Sequence, residues 1–404
     1  MYLYYTIMRK SLFIVCATLL CASCRGPDIR LYDNFVRVLD TTTFSTATVI
    51  EKLREPEAGL AGLLADNIPL RNIKVESILY KTYLPNGDRA FASGIIARPV
   101  DIPVIGVVSA LHATMAQKYQ APSEAMFCRD ILPAFLGYVV FVSDYIGLGQ
   151  TVKVPQPYLH LESTARCQID MVIAGREYLK YEYGLDTYGP MYVEGYSQGG
   201  ALALNFMRVT QRDYPDTFKI KKVFCGGAPM DLPTIIEEAV RTNNSELPIG
   251  IALVVEGLNY AENLGLDYNR LFTGELLERF DLLVRSKRFT AQEICDQLGT
   301  TVSTDFLHPD FFTEEGNDQI DRLLESGRRN SLTSCTDWAP DPEVPILMLH
   351  SYTDEAVAYA NIEKGVAFLR HAGANLEFVP TVGSHAAAGM TMYLAFWNEL
   401  RQNE

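Results

Sequence analysis

The string that most restricts this chain is Gly195-Tyr196-Ser197-Gln198-Gly199-Gly200, which follows the short run Met191–Glu194 and leads into Ala201-Leu202-Ala203-Leu204. A buried strand that turns this sharply into a helix leaves no room for side chains on either side of the turning residue, so glycine is required there. The serine then sits at the head of the helix with its hydroxyl projecting from the turn, an arrangement known as a nucleophile elbow. A glycine-rich turn whose serine merely caps a helix is the plainer alternative. The strand before it, the helix after it and the additional Gly200 favour the elbow.

The rest of the chain supplies elements of the matching kind. Arg71–Leu84 and Arg89–Arg98 alternate apolar and polar residues around Pro85-Asn86-Gly87-Asp88, which predicts an antiparallel hairpin. Short, nearly unbroken apolar runs follow at Val104–Ala110, Tyr138–Ser143, Met191–Glu194, Lys221–Cys225, Pro345–Leu349 and Leu376–Pro380. Between them, helical patterns cover Ser123–Phe135, Glu162–Tyr181, Gly199–Thr210, Ala358–His371 and His385–Arg401. Strands without polar positions are buried on both faces, and their alternation with helices predicts an α/β fold with a mostly parallel sheet. From Asp231 to Pro345 no strand pattern stands out. Leu232–Arg241, Gly274–Val284 and Ala291–Leu298 read as helices of an inserted cap. Ahead of the sheet, Phe44–Asp66 has apolar residues at helical spacing. The organisation expected is a leader at 1–24, an N-terminal helical segment at 25–68, a core at 69–230 and 344–404, and a helical cap at 231–343.

A strand, elbow and helix in this setting resemble the α/β-hydrolase fold, in which the catalytic groups follow the order Ser, acid, His along the chain. A serine hydroxyl is a weak nucleophile near neutral pH, so a histidine must take its proton and a carboxylate must orient that histidine. Of six histidines, His308, His350, His371 and His385 follow Ser197. His308 falls in the cap, His350 ends a strand before the acid, and His371 ends a helix. His385, in the turn after the last strand, is the candidate base. Asp354 lies on the loop after the penultimate strand and is the candidate acid, with Asp231 and the neighbouring Glu355 as alternatives. Asp231 also suits the N-cap of the first cap helix. The oxyanion hole needs two backbone donors already in place. Gln198, at the start of the helix, is one. In Leu111-His112-Ala113-Thr114, Thr114 is the candidate for the other, with Ala113 behind it; His112 is read as structural.

Five strings together resemble the secretory lipase family: Leu111–Thr114, Asp144-Tyr145-Ile146-Gly147-Leu148-Gly149, Gly195–Gly200, Gly226-Gly227-Ala228-Pro229-Met230-Asp231-Leu232, and Leu349–Tyr359. The resemblance runs over most of residues 70–400. It implies hydrolysis of carboxylic esters by a Ser197-His385-Asp354 triad under a helical cap, with no metal or organic cofactor. A serine exopeptidase of the same fold and a non-catalytic lipid or glycan binder are the competing readings. Among the cap and loop aromatics, Tyr158, Tyr260, Phe311, Phe312 and Trp338 either shape a pocket or belong to the core.

The start of the chain reads as a targeting segment. Arg9-Lys10, the apolar run Ser11–Leu20 and Cys21-Ala22-Ser23-Cys24 resemble a bacterial lipoprotein signal, with lipidation at Cys24 and Cys21 in place of the usual leucine. That resemblance implies an exported protein of the cell envelope, lipid-anchored to a membrane or periplasmic; a signal peptide cut elsewhere, or a short membrane anchor, is the alternative reading of the segment. The later cysteines are scattered and show neither metal-ligand spacing nor a dense disulfide framework; Cys295 with Cys335 is the one pairing considered. A formal net charge of −14 provides no basic face for nucleic acid and favours a neutral ester or amide over an anionic substrate, with a small-molecule ester expected from the resemblance. No protein partner is indicated.

Overall fold

In a computed structural model, residues 32–402 are described, the side chains of 56–61 excepted. The expected signal segment and Cys24 lie outside the described residues. The sheet is assembled from β1 (Phe35–Ser45), β2 (Asn72–Tyr83), β3 (Arg89–Pro99), β4 (Gly106–Leu111), β5 (Tyr138–Ser143), β6 (Met191–Tyr196), β7 (Ile220–Gly226), β8 (Ile346–Ser351) and β9 (Leu376–Thr381). Its order is β1-β2-β3-β5-β4-β6-β7-β8-β9. The pairs β1–β2, β2–β3 and β3–β5 are antiparallel, and from β5 to β9 every pair is parallel. β5, β6 and β8 are buried at every position, as their apolar sequences require of strands covered on both faces.

The hairpin expected around Asn86-Gly87 is formed in register, with Tyr83 opposite Arg89. Only Gly87 takes a positive φ, 86°. The N-terminal segment departs from expectation. β1 occupies Phe35–Ser45, and the helix α1 is confined to Thr46–Leu53, started by Ser45 accepting from the Thr48 amide at 3.2 Å. Pro56 then opens a 3₁₀ segment, Pro56–Asn67. The β-branched residues Val36, Val38 and Thr41–Thr43 favour the strand. The helix expected over Ser123–Phe135 is also broken. One turn at Pro122–Ala125 stops where Met126 turns left-handed (φ 56°), and Pro133 lies within the 3₁₀ segment Arg129–Leu136.

On the sheet, α2 (Leu161–Tyr183) packs beside α3 (Gln198–Asp213), while α9 (His385–Arg401) lies over β7 and β8 next to the 3₁₀ segment Arg129–Leu136, which covers β5 and β3. Phe396, Trp397 and Leu400 of α9 form one core with Val108, Val140, Tyr192 and Phe224 from alternate strand positions. Between β7 and β8 lie α4 (Leu232–Thr242), α5 (Pro248–Glu262), α6 (Ala291–Leu298) and α7 (Asp318–Arg329), and α8 (Tyr359–His371) follows β8. The described residues of the 231–343 stretch contain no strand, only the isolated bridges Asn244–Val302 and Phe272–Leu307. A short helix, Gly274–Glu278, and a π-helical turn, Asp281–Arg285, stand where a single helix was expected. β4, β6, β8 and β9 all deliver their following loops to the same edge of the sheet, where sites form in parallel α/β proteins.

Candidate active site

Ser197 turns the chain from β6 into α3 at φ 60° and ψ −125°, a conformation that a serine adopts only when its surroundings impose it. Its amide donates to the Gly226 carbonyl at 2.9 Å, and its own carbonyl accepts from the Gly200 amide at 2.9 Å. The glycines around it have no freedom to change. A Cβ on Gly195 would lie 2.2 Å from the Gly199 carbonyl oxygen, one on Gly199 1.9 Å from that of Leu111, and one on Gly200 2.4 Å from that of Gly226. The motif glycines therefore allow β4, β6 and β7 to close onto the head of α3.

His385 is the first residue of α9, and the turn before it is stitched to the loop after β8. Ser351 Oγ and Thr353 Oγ1 both donate to the Gly383 carbonyl, at 2.5 and 2.9 Å. His385 Nδ1 meets Asp354 Oδ2 at 2.7 Å. The other Asp354 oxygen accepts from the amides of Ala356 (2.9 Å) and Val357 (2.8 Å), so both oxygens are occupied. Asp354 has no exposed side-chain surface, and burial alone would raise its pKa. The bond and charge interaction with His385, the Val357 amide and the nearby His350 outweigh that and hold the carboxyl below its ordinary value. His350 Nε2 donates to the Val357 carbonyl at 3.0 Å and so braces the same loop.

The two alternative acids are engaged elsewhere. Glu355 accepts from the His385 backbone amide at 2.9 Å. Asp231 caps α4, accepting from Thr234 and Thr333, with Lys364 at 3.4 Å. Tyr196 packs its ring 4.9 Å from that of His385 and restricts where the imidazole can swing.

Gln198 begins α3 and is buried, its amide at the head of the helix. Thr114 stands on the loop after β4, and its Oγ1 lies 2.6 Å from the hydroxyl of Tyr158. Tyr158 is thus a buried brace of this loop. His112 is fully enclosed: Nδ1 donates to the Ala113 carbonyl at 2.7 Å and the ring stacks on Tyr145, with centroids 3.9 Å apart. Burial lowers the His112 pKa, which suits a neutral structural group.

Ser197, His385, Thr114 and Ala113 line one cavity of about 520 Å³. Leu247 and Gln292, from the 231–343 stretch, and Met390 of α9 complete much of its wall. Arg129, which the sequence reading passed over, also lines it, holding Asp130 at 3.2 Å and lying over the ring of Tyr393. Tyr260 borders a separate cavity, Trp338 is buried against Phe368, and Phe311 and Phe312 are half-buried. Cys295 and Cys335 are both free thiols, so the pairing considered between them is not formed. Among the described residues no group of His, Cys, Asp or Glu side chains is arranged to hold a metal ion, and no helix is long and apolar enough to cross a membrane.

No family model matches the chain, and no curated protein does. Solved structures do. A provisionally assigned hydrolase from Legionella pneumophila superposes with a TM-score of 0.75 at 20% identity, over 92% of this chain and 98% of that one. The rice cell wall degrading esterase LipA from Xanthomonas oryzae gives 0.72 at 20% identity, over 90% and 96%. Candida antarctica lipase A in its closed state gives 0.63 at 15% identity, over 93% and 86%. At these identities the likeness is one of architecture, and together with the sheet order and the elbow it establishes that this chain has the α/β-hydrolase fold.

Proposed function

We propose that the protein is a serine carboxylesterase. The observation that carries this reading is the buried Asp354–His385 bond beside a cavity that also holds Ser197. In the reaction, Ser197 Oγ bonds to the ester carbonyl carbon while its proton passes to His385 Nε2. The amides of Gln198 and Thr114 receive the negative charge that collects on the carbonyl oxygen. Collapse of this intermediate breaks the bond to the alcohol, which leaves with the proton from His385. Water, deprotonated by His385, then releases the acid and restores Ser197. Asp354 keeps the proton of His385 on Nδ1 throughout, leaving Nε2 free to accept.

The peptidase reading requires carboxylates dedicated to a free amino terminus. Glu246 and Glu355 stand on the cavity wall, but Glu355 is held by the His385 amide and Glu246 by Asn244 at 3.0 Å. Ester hydrolysis needs no such clamp and is favoured. Export and attachment to the cell envelope through Cys24 belong to the same proposal. They rest on the leader sequence alone.

The test uses the purified chain from residue 25 onward, p-nitrophenyl esters from acetate to palmitate, an aminoacyl-proline anilide, and Ser197→Ala. Ester cleavage that disappears in the variant supports the proposal, and the preferred ester sizes the acyl site. Cleavage of the anilide alone would replace esterase with peptidase.

A further inference from the structure

Immediately after the π-helical turn, Lys287 is buried to 6% exposure and adopts φ +54°, a backbone conformation that costs energy for a side chain of this kind. Its ammonium donates to three main-chain carbonyls: Gly147 at 2.5 Å, Val152 at 2.9 Å and Val154 at 2.6 Å. Three hydrogens meet three acceptors, which is how a buried ammonium is made tolerable. The acceptors lie on the loop that follows β5.

The backbone beside Lys287 reaches a second loop. Its carbonyl accepts from the Lys118 amide at 2.9 Å, and the Arg288 carbonyl accepts from Gln117 Nε2 at 2.9 Å. Residues 112–121 form the loop after β4, which carries Thr114. The loop after β5 returns to this same segment. Gln156 Nε2 donates to the Met115 carbonyl at 2.9 Å, and Tyr158 meets Thr114. A closed ring of contacts therefore runs from Lys287 to residues 147–158, on to 114–118, and back to Lys287.

We infer that Lys287 is a positioning residue for the reaction, holding the Thr114 loop through this ring so that its amide donor stays aimed at the developing oxyanion. This rests on the esterase reading of the site. A hydrophobic residue would fill the space at less cost. What only an ammonium provides is simultaneous attachment to three carbonyls of a loop that is itself bonded to the Thr114 loop.

The ring also has a pH dependence. Burial draws the Lys287 pKa down to about 8, against the opposing pull of Glu256 on α5. Glu256, Arg285 and Lys153 share the adjoining cavity wall with Lys287, and Lys118 is turned onto the ring of Tyr119. A neutral amine has two hydrogens for three carbonyls, so the ring loosens as pH rises through about 8.

The experiment compares wild type with Lys287→Met and with the milder Gln117→Ala, which removes one tie and leaves Lys287 in place. Three quantities are read: kcat and KM on the best p-nitrophenyl ester, the rate at which a fluorophosphonate modifies Ser197, and amide hydrogen exchange over residues 111–121. Modification by the phosphonate requires the nucleophile and the oxyanion hole but no ester substrate, so it reads Lys287 even if the natural substrate is of another class. In Lys287→Met, kcat and the modification rate should fall together by roughly tenfold to a hundredfold, less than the loss on deleting an oxyanion donor outright. KM should stay within about twofold, and exchange over 111–121 should speed up. Gln117→Ala should shift the same quantities less. Wild type should lose activity reversibly above pH about 8, and Lys287→Met should lack that limb. Unchanged modification rates in both folded variants would overturn the inference, even if exchange speeds up, because Lys287 would then support the fold without serving the site.

Discussion

Replacing Asp354 by asparagine probes the assembly of the site most directly, because the hydrogen bonds around that carboxyl dictate how the amide must orient. One oxygen accepts from the amides of Ala356 and Val357, at 2.9 and 2.8 Å. In Asp354→Asn only the amide oxygen can keep those two bonds, so the NH₂ group is turned toward His385 Nδ1, 2.7 Å away in the wild type. Nδ1 must then be the acceptor, and the imidazole proton moves to Nε2, the nitrogen that should take the proton from Ser197. The fold is preserved while the base is in the wrong tautomer. Loss of a correctly oriented base of this kind costs about 10⁴ in kcat, or about 5.4 kcal/mol of transition-state stabilisation. The assay is kcat/KM on the best p-nitrophenyl ester, with thermal melting alongside to show that both amide donors are still satisfied. Retention of more than about a tenth of wild-type activity, with Ser197→Ala inactive, would refute the reasoning. Asp354 would then not be the group that sets the tautomer of His385.

Two further outcomes follow from packing and charge. Gly199→Ala places a Cβ 1.9 Å from the Leu111 carbonyl oxygen, where backbone must give way. It should cost about 3 kcal/mol or more by chemical denaturation, together with the activity. Glu162, bonded chiefly by Arg212 and also by Arg208, has its pKa lowered to about 2. A folded-state value below that of the unfolded chain means that the stabilisation is complete above pH about 4.3 and is lost as pH falls toward 2. Acid titrations of stability should therefore be flatter for Glu162→Gln than for wild type in that window. The difference should be modest, since half of the Glu162 side chain is exposed and solvent screens the pair. A difference that appears only above pH 5 would contradict the assignment.

The parts of this molecule that were legible in sequence are those where the constraint is local. The elbow could be read because three glycines within six residues answer to clashes between neighbouring strands and the head of α3. The Asp354–His385 contact could be expected because each residue lies in a loop directly after a strand run, β8 buried throughout and β9 partly exposed. Where several weak signals compete, the reading failed. Ser123–Phe135 has helical periodicity, but Met126 and Pro133 break it. Pro248–Glu262 is apolar nearly all round its axis, so α5 shows no amphipathic stripe. β1 was hidden because its β-branched residues precede a stretch whose apolar spacing suits a helix. Lys287 carried no signal, since a lysine beside Arg285, Ser286 and Arg288 looks like a solvated surface until the fold encloses it, and Arg129, next to Asp130, looked like one half of a local ion pair.

The motif Asp144–Gly149 shows how a string apart from Ser197, Asp354 and His385 can bear on the same site. The Asp144 carboxylate is wholly buried, and burial pushes its pKa up, yet it accepts from Ser93 Oγ (2.5 Å) and from the Ser123 amide (2.8 Å) and Oγ (2.5 Å). Gly149 must be glycine, because a Cβ there would lie 2.0 Å from Asp144 Oδ2. None of these groups lines the cavity that holds Ser197. What they do is tie β3, the end of β5 and the start of the 122–125 turn to one charge. The adjoining Tyr145 is thereby set against the ring of His112, directly before Ala113 and Thr114. An oxyanion donor is useful only if it does not have to move when charge appears, and main-chain amides on a loop are held only as well as the loop is. Asp144 fixes that loop from beneath and Lys287 from the side of the 231–343 stretch. Removing either anchor should lower the rate without touching the nucleophile, and fluorophosphonate kinetics on Ser93→Ala, which deletes one Asp144 bond while sparing Ser197, should show a smaller loss of the same kind as Lys287→Met.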